Sequence, residues 1–232
     1  MRFAAVVALF LALAATPLLA GDGGKAPVKA GAAQPAAAPA KQVKRTPEQI
    51  AALRVAVLEG FAKPDFKTRA DAGDLLVAAW PDSAPILDAA LGSQNAQVRL
   101  EAVSLLRREE LGDVRDRIRG KISDPDESVR RQAIRAGRHL KWPEFEPDLM
   151  RVLQKDKAWS VRQEALRGLE DRGTLRCAYV VLTAMFAEED IEHRNAYKRV
   201  LVRLLGKDYG DDQQAWSDAI SDARAKAETK KK

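Results

Sequence analysis

The sequence contains few of the residues on which several common architectures depend. It has one cysteine among 232 residues, and only 6% of the residues are aromatic. A single cysteine excludes an intrachain disulfide scaffold, and the low aromatic content disfavours an aromatic-rich β-sandwich. Glycine and proline occur 14 and 11 times, too rarely for a collagen. The chain has instead 46% hydrophobic and 31% charged residues, which suffices for a folded core.

Motifs for catalysis and for metal binding are also missing from the sequence. The two histidines, His139 and His193, have no histidine or cysteine partner at the spacing of a zinc site. Neither a Gly-x-Ser-x-Gly nucleophile elbow nor a phosphate-binding Walker loop occurs. Cys177 lies in an apolar helical run, where we expect a small core residue rather than a nucleophile. The sequence therefore predicts no enzyme activity, no cofactor and no bound metal.

Long apolar runs are absent except near the start of the chain. A positive charge at Arg2 precedes thirteen consecutive apolar residues, 3–15, and a small-residue exit follows at Ala20. This layout is typical of a secretory signal peptide. Thirteen residues form about 20 Å of helix, less than the roughly 30 Å hydrocarbon core of a bilayer. We expect residues 1–20 to be a cleaved signal for export to the periplasm or the exterior, and the mature chain to have no membrane span. An uncleaved anchor is the alternative.

The net charge of +6 lies mainly at the two ends of the chain. Residues 21–45 combine eight alanines, four glycines, three prolines and five positive charges without any leucine, isoleucine or aromatic residue, which predicts a disordered linker. Residues 221–232 are predicted to be a basic flexible tail. The signal carries +1, the linker +4 and the tail +3, which leaves −2 for residues 46–220. General nucleic-acid binding is therefore disfavoured, although the basic ends could make weak contact with an anionic surface.

Five arginines mark an internal repeat with spacings of 30, 31, 32 and 32 residues. They are Arg69, Arg99, Arg130, Arg162 and Arg194. Three residues after each arginine comes an alanine, or a tyrosine in the last unit, and seven after it comes a leucine or a glycine. Residues at these intervals share one face of a helix, and alanine permits close helix packing. Each unit also contains a turn with proline, glycine or aspartate, so we predict two helices per unit and an all-α fold.

The pattern resembles HEAT repeats, particularly the short form known from phycobilisome-lyase-type proteins. The segment Asp124-Pro125-Asp126-Glu127-Ser128-Val129-Arg130 with Ala133, and Asp156 with Arg162, carry the resemblance. It implies a short right-handed α-solenoid of about five stacked helical hairpins over residues 46–220. It also implies that the repeat arginines, with Asp124 and Asp156, tie neighbouring repeats together. Lys63, Ser93 and Glu188 stand at the aspartate position of the other units.

A second column of arginines lies five residues after three of the repeat arginines. Arg135, Arg167 and Arg199 form this column, and Arg107, Arg138 and Arg203 flank it. If the second helices line the concave side, as in HEAT relatives, the column could bind an acidic partner. The alternative is a solvated face that neighbours such as Glu164 and Glu170 partly neutralise.

Two tryptophans and the C-terminal segment complete the set of candidate features. Trp142 and Trp159 are either interface hot spots or packing residues at turns. Gly206 suits a helix C-cap, and Asp211 or Asp212 suits the N-cap of a last helix that carries Trp216.

The repeats lead to a functional expectation. We expect an exported, noncatalytic scaffold that binds an unidentified protein partner through its helical surface, since such solenoids typically bind macromolecules. Two alternatives stay open. One is a polyanion or nucleic-acid binder that uses the arginine face and the basic tails. The other is an accessory subunit of an enzyme, because some relatives are lyase subunits for bilin attachment and others excise damaged DNA bases.

Overall fold

A computed structural model describes residues 45–140 and 142–229 of the chain. Every regular element in these two ranges is helical, which confirms the predicted all-α fold. The α-helices are α1 (Pro47–Phe61), α2 (Phe66–Ala78), α3 (Ala84–Leu91), α4 (Ala96–Leu105), α5 (Arg115–Lys121), α6 (Glu127–His139), α7 (Glu146–Lys155), α8 (Trp159–Arg172), α9 (Ala178–Ala187), α10 (Ile191–Leu205) and α11 (Gln213–Thr229). Short 3₁₀ helices, Glu109–Leu111 and Pro143–Phe145, precede α5 and α7.

The helices pair into five hairpins that stack into a solenoid of two layers. Each odd-numbered helix from α1 to α9 packs against the even-numbered helix that follows it. The even helices also contact one another in order from α2 to α10, which makes them one layer. In the odd layer α7 contacts α9, and α9 contacts α11, which closes the stack at its C-terminal end. The predicted α-solenoid of about five hairpins is thus confirmed.

Most of the even helices begin with a side-chain cap four residues before the repeat arginine. The capping side chains of α2, α4, α6 and α10 accept a hydrogen bond from a main-chain N–H of the first turn, and they belong to Asp65, Asn95, Asp126 and Asp190. The corresponding residue of α8 is Ala158, whose side chain has no acceptor. At the start of the solenoid, Thr46 and Gln49 form a capping box around Pro47.

Small residues determine how closely the helices approach. The alanines three residues after the repeat arginines, Ala72, Ala102, Ala133 and Ala165, are fully buried in the core. A Cβ atom added to Gly137 of α6 would overlap the ring of Phe145. The small residues of the repeat pattern therefore occupy positions where the close packing of helices leaves no room for a larger side chain.

Both predicted ends of the solenoid need correction. Arg45, assigned to the linker, donates from Nη2 to the carbonyl oxygen of Ala78 at 3.2 Å. At the other end, residues 221–229 continue α11 instead of forming a flexible tail. Arg224 of this segment donates from Nε to the carbonyl oxygen of Leu175 at 3.1 Å, which ties the last turns of the helix to the previous hairpin. The predicted signal peptide, the remaining linker residues and residues 230–232 lie outside the described residues.

The last helix is held by the residues that the sequence indicated. Gly206 ends α10 in the left-handed conformation with a φ of 77°, and Asp212 accepts a hydrogen bond from the N–H of Ala215 at 2.9 Å. Trp216 is fully buried and donates from Nε1 to the carbonyl oxygen of Gly210 at 3.0 Å. Among the described residues, no helix combines the length and apolar character needed to cross a membrane.

Candidate functional site

The repeat arginines connect each hairpin to the next one. Arg130 shows the arrangement: its Nη1 donates to the carbonyl oxygens of Asp124 and Pro125, at 3.0 and 3.1 Å, just before its own helix. Its Nε and Nη2 donate to the two carboxylate oxygens of Asp156 in the following hairpin, at 2.7 and 3.0 Å. This bidentate geometry suits a guanidinium and could not be reproduced by lysine.

Arginine–carboxylate pairs at equivalent positions join three consecutive pairs of hairpins, through Nε and Nη2 for Arg99 and Arg130 and through Nη2 alone for Arg162. The closest contacts are 2.8 Å for Arg99–Asp124, 2.7 Å for Arg130–Asp156 and 2.8 Å for Arg162–Glu188. In each case the carboxylate lies six residues before the next repeat arginine, and its own carbonyl oxygen accepts from that next arginine. Glu188 therefore acts as the aspartates do, although the resemblance was carried only by Asp124 and Asp156.

The repeat arginines and their partners form a ladder of contacts along the stack. The two ends of this ladder differ from its middle. Arg69 pairs instead with Glu101 of α4 at 2.6 Å, because Ser93 occupies the position where the next three hairpins have an acid. Arg194 at the other end donates from Nε and Nη2 to the carbonyl oxygen of Glu188, at 3.2 and 2.8 Å.

Electrostatics keep the buried pair Arg99–Asp124 ionised. Burial alone would raise the pKa of the Asp124 carboxyl, but hydrogen bonds from Arg99 and from the N–H of Asp126 outweigh burial and hold that pKa below its ordinary value. The hydrogen bonds to Asp124 in turn raise the pKa of Arg99 against the effect of burial. The ladder is thus a set of charged contacts between repeats, and its guanidiniums are occupied within the fold.

The last ladder contact, between α8 and α10, contains additional aromatic residues. Tyr197 stands where earlier repeats have alanine, and its hydroxyl accepts a hydrogen bond from Nε of Arg162 at 3.2 Å. Trp159 stacks on His193 with ring centroids 3.7 Å apart. Next to Arg162 and Tyr197, α7 and α9 border an open groove of about 510 Å³, whose wall includes Val180.

The column of Arg135, Arg167 and Arg199 faces solvent on the even layer. These side chains are 48%, 49% and 59% exposed. Arg135 and Arg167 lie 3.7 and 3.1 Å from the same oxygen, Oε2 of Glu164. Arg199 lies 3.8 Å from Glu170. The alternative of partial neutralisation is therefore present in the structure, yet all three guanidiniums remain accessible.

Glu164 is the centre of this arrangement. Its side chain is only 1% exposed, and its second oxygen, Oε1, accepts a hydrogen bond from Arg138. Arg138 also pairs with Asp171 at 2.8 Å. A buried carboxylate needs such partners because its desolvation is costly. Its burial could not be inferred from a helix position that looked solvent-exposed.

The other two flanking arginines do not join the column's contacts. The Nε of Arg107 is 3.5 Å from the carbonyl oxygen of Ser104 in the preceding turn. Arg203 donates from Nη2 to the carbonyl oxygens of Leu169, at 3.1 Å, and Gly173, where it closes the end of α8.

Trp142 and Cys177 occupy packed positions. The Trp142 side chain is buried, stacks on Phe145 with centroids 5.0 Å apart and lies 4.6 Å below the guanidinium of Arg119. Burial, followed by the proximity of Glu146, raises the pKa of the Cys177 thiol to about 12. The thiol is therefore uncharged at neutral pH. Among the described residues, no group of three or more histidine, cysteine, aspartate or glutamate side chains is arranged to hold a metal ion.

Comparison with known proteins agrees with this architecture. The family model for HEAT repeats matches residues 83–170 and, in a second overlapping match, residues 121–215, so that together the matches span more than half of the chain. The chain belongs to the HEAT-repeat family. The matched HEAT repeats include the three regular contacts of the ladder and the whole arginine column.

One solved structure that the comparison matches is that of an engineered protein from a structural genomics consortium. It shares 16% identity with the chain at a TM-score of 0.43, and the match covers 67% of this chain and 81% of that chain. None of the curated proteins matches the chain.

Proposed function

We propose that the chain is an exported, noncatalytic scaffold whose HEAT repeats bind a partner protein through the exposed face of the even layer. The observation that carries this proposal is the solvent-facing column of Arg135, Arg167 and Arg199 on three successive helices. The ladder arginines are occupied in holding the repeats together, whereas the column makes few contacts within the fold. Arginine is also enriched among residues that dominate binding energy at protein interfaces.

Site-specific photo-cross-linking in cells that naturally make the protein tests the binding surface. A photoreactive amino acid at Gln163 or Asn195, both on even helices beside the column, should capture one defined protein. Matched probes at the exposed positions Arg54 and Lys155 of the odd layer should not capture it. The captured protein, purified and titrated against the full chain, should then bind directly. Equal capture from both layers, or capture from neither, would refute the proposal.

Export rests on the leader-like residues 1–20 and is tested separately. The mature protein should be recovered outside the cytoplasm, and its intact mass should correspond to a chain that begins at Gly21. Leu9→Arg interrupts the apolar run and should leave the protein in the cytoplasm with the leader attached. A chain that is exported equally well with this substitution would contradict the proposal.

A further inference from the structure

We infer that the partner is recognised through an acidic protein segment, and that Arg135 and Arg167 together clamp one carboxylate of that segment. This inference rests on the proposed function and gives the chemistry of the partner at the same surface. Arg199 would contact a second acidic side chain further along the segment.

The clamp follows from the position of the two guanidiniums relative to Glu164. Both approach Oε2 of this buried residue, so they lie side by side on neighbouring helices. At 3.7 Å, Arg135 is beyond hydrogen-bonding distance, and Arg167 donates to Glu164 only from Nη1, at 3.1 Å. Each guanidinium has five N–H donors, so both keep donors that make no hydrogen bond to the described residues.

The charges around the column also do not balance. Arg135, Arg138, Arg167 and Arg199 meet three carboxylates, those of Glu164, Glu170 and Asp171. One positive charge remains in excess, and it lies on the exposed side because Glu164 is buried beneath the guanidiniums. An external carboxylate placed between Arg135 and Arg167 would balance it through charge-assisted hydrogen bonds to both. Glu164 is then a positioning residue that keeps the two side chains together.

The position of Arg199 sets the spacing that we expect between acidic side chains in the bound segment. Helices α8 and α10 are in contact, and packed helices lie about 8–10 Å apart. An extended peptide rises about 3.3 Å per residue and covers this distance in about three residues. A segment with acidic side chains at this separation would reach both the clamp and Arg199.

Carboxylates on the same face favour a protein over a nucleic acid. Asp171 is 53% exposed and Glu170 38% exposed, so a continuous row of phosphates along the column would meet two repelling groups. Residues 46–220 carry a net charge of −2, whereas nucleic-acid affinity comes from many phosphate contacts. Separate acidic side chains can avoid Glu170 and Asp171.

Fluorescence anisotropy with two labelled probes tests the inference on the full mature chain. One probe is a twelve-residue poly-glutamate peptide, and the other is a single-stranded oligonucleotide of equal charge. We expect the peptide to bind the wild type more tightly than the oligonucleotide. The double variant Arg135→Gln/Arg167→Gln should bind the peptide about tenfold more weakly, because two charge-assisted donors are lost. The control Arg54→Gln/Arg176→Gln changes the net charge equally at two exposed positions away from the column, one in α1 and one in the turn before α9, and should bind like the wild type.

A second variant covers the case in which the glutamine variant unfolds. Arg135→Lys/Arg167→Lys keeps both charges beside Glu164 but loses the planar fork, and it should still weaken peptide binding severalfold. Equal losses in the column variant and its control, no binding of the peptide by the wild type, or tighter binding of the oligonucleotide would each overturn the inference. If cross-linking from the even layer still captures a partner protein in that case, the proposed function stands and only the acidic recognition fails.

Discussion

At the scale of single residues, steric fit and buried charge specify this fold. Gly137 permits the ring of Phe145 to lie directly against α6. The buried carboxylate of Asp124 is held by Arg99 through both Nε and Nη2. Both features lie at contacts between hairpins, so each can be tested by a single substitution.

Gly137→Ala should destabilise the protein although alanine is the better helix former. The added methyl group overlaps the Phe145 ring, and overpacking of this kind costs about 1–3 kcal/mol. Gly120→Ala is the matched control, because a Cβ there meets no atom within 4 Å, and we expect it to stabilise α5 by up to about 1 kcal/mol. Urea unfolding of both variants measures the two effects, and a neutral Gly137→Ala would contradict the packing argument.

Asp124→Asn should destabilise the protein at neutral pH and much less in acid. The folded-state pKa of Asp124 lies below its ordinary value of 3.8, so its ionised form contributes stability above that pH and loses it as the pH falls through the folded pKa. Removing the charge opposite buried Arg99 should cost about 3 kcal/mol at pH 7. The unfolding free energies of both proteins, measured from pH 7 downward, should begin to approach each other as the pH falls below about 3.8 and should meet below the folded-state pKa of Asp124. A difference independent of pH would show that the charge is not responsible.

At the scale of elements, the contacts between hairpins are not equal. The contact between the first and second hairpins lacks the acid found in the next three, because Ser93 stands at that position. Ser93 nevertheless shares the local geometry: its carbonyl oxygen accepts from Arg99 at 2.8 Å, and its hydroxyl accepts from the N–H of Asn95 at 3.2 Å. Asp124 makes both equivalent contacts, to Arg130 and to the N–H of Asp126.

Ser93→Asp should therefore stabilise the first hairpin against the second. The new carboxylate would lie where Asp124 and Asp156 lie in later repeats and would pair with Arg69, for a gain of about 0.5–1 kcal/mol. Ser93→Asn serves as the control, because asparagine has nearly the same size as aspartate but no charge. Thermal unfolding at low and high salt separates the two, since only the aspartate gain should shrink with added salt.

At the scale of the whole molecule, α11 shields the open end of the stack. Trp216 and Ile220 are fully buried, and Tyr209 packs edge-on against the indole with centroids 5.0 Å apart. A solenoid is stabilised by its interfaces, so the last hairpin depends on this cover for the packing of α9.

Trp216→Ala should destabilise the protein by about 3–5 kcal/mol, because it leaves a large cavity against the last hairpin. Hydrogen exchange should increase first in α9 and α10, which lie next to the cavity, and least in α1 and α2 at the opposite end. The exposed neighbour Gln213 supplies the control, since Gln213→Ala should change neither quantity. Uniform acceleration along the chain would indicate that the stack unfolds as one unit.

The sequence predicted the repeating features better than the single ones. The spacing of the ladder arginines indicated two-helix units and an all-α fold, because each unit repeats the same local pattern. The pairing of Arg162 with Glu188 could not be derived, since it depends on the register between two hairpins. The prediction of a flexible tail over residues 221–232 is wrong for residues 221–229, because alanine, lysine and glutamate suit an exposed helix as well as a disordered segment. Glu164 looked like a surface charge, and only the convergence of three arginines explains its burial.

The ladder also has a consequence for the length of the molecule. Each middle unit has a repeat arginine whose guanidinium can pair with a following unit, provided that this unit has an acid six residues before its own arginine. Such a unit pairs with the following unit through its arginine and with the preceding unit through its acid, so the same contact occurs on both sides. A copy of residues 125–156 inserted after Asp156 would supply both halves of the connection, with its own Arg130 and Asp156. The chemistry between hairpins thus leaves the number of repeats free to change by duplication, while the first hairpin and α11 remain the fixed ends.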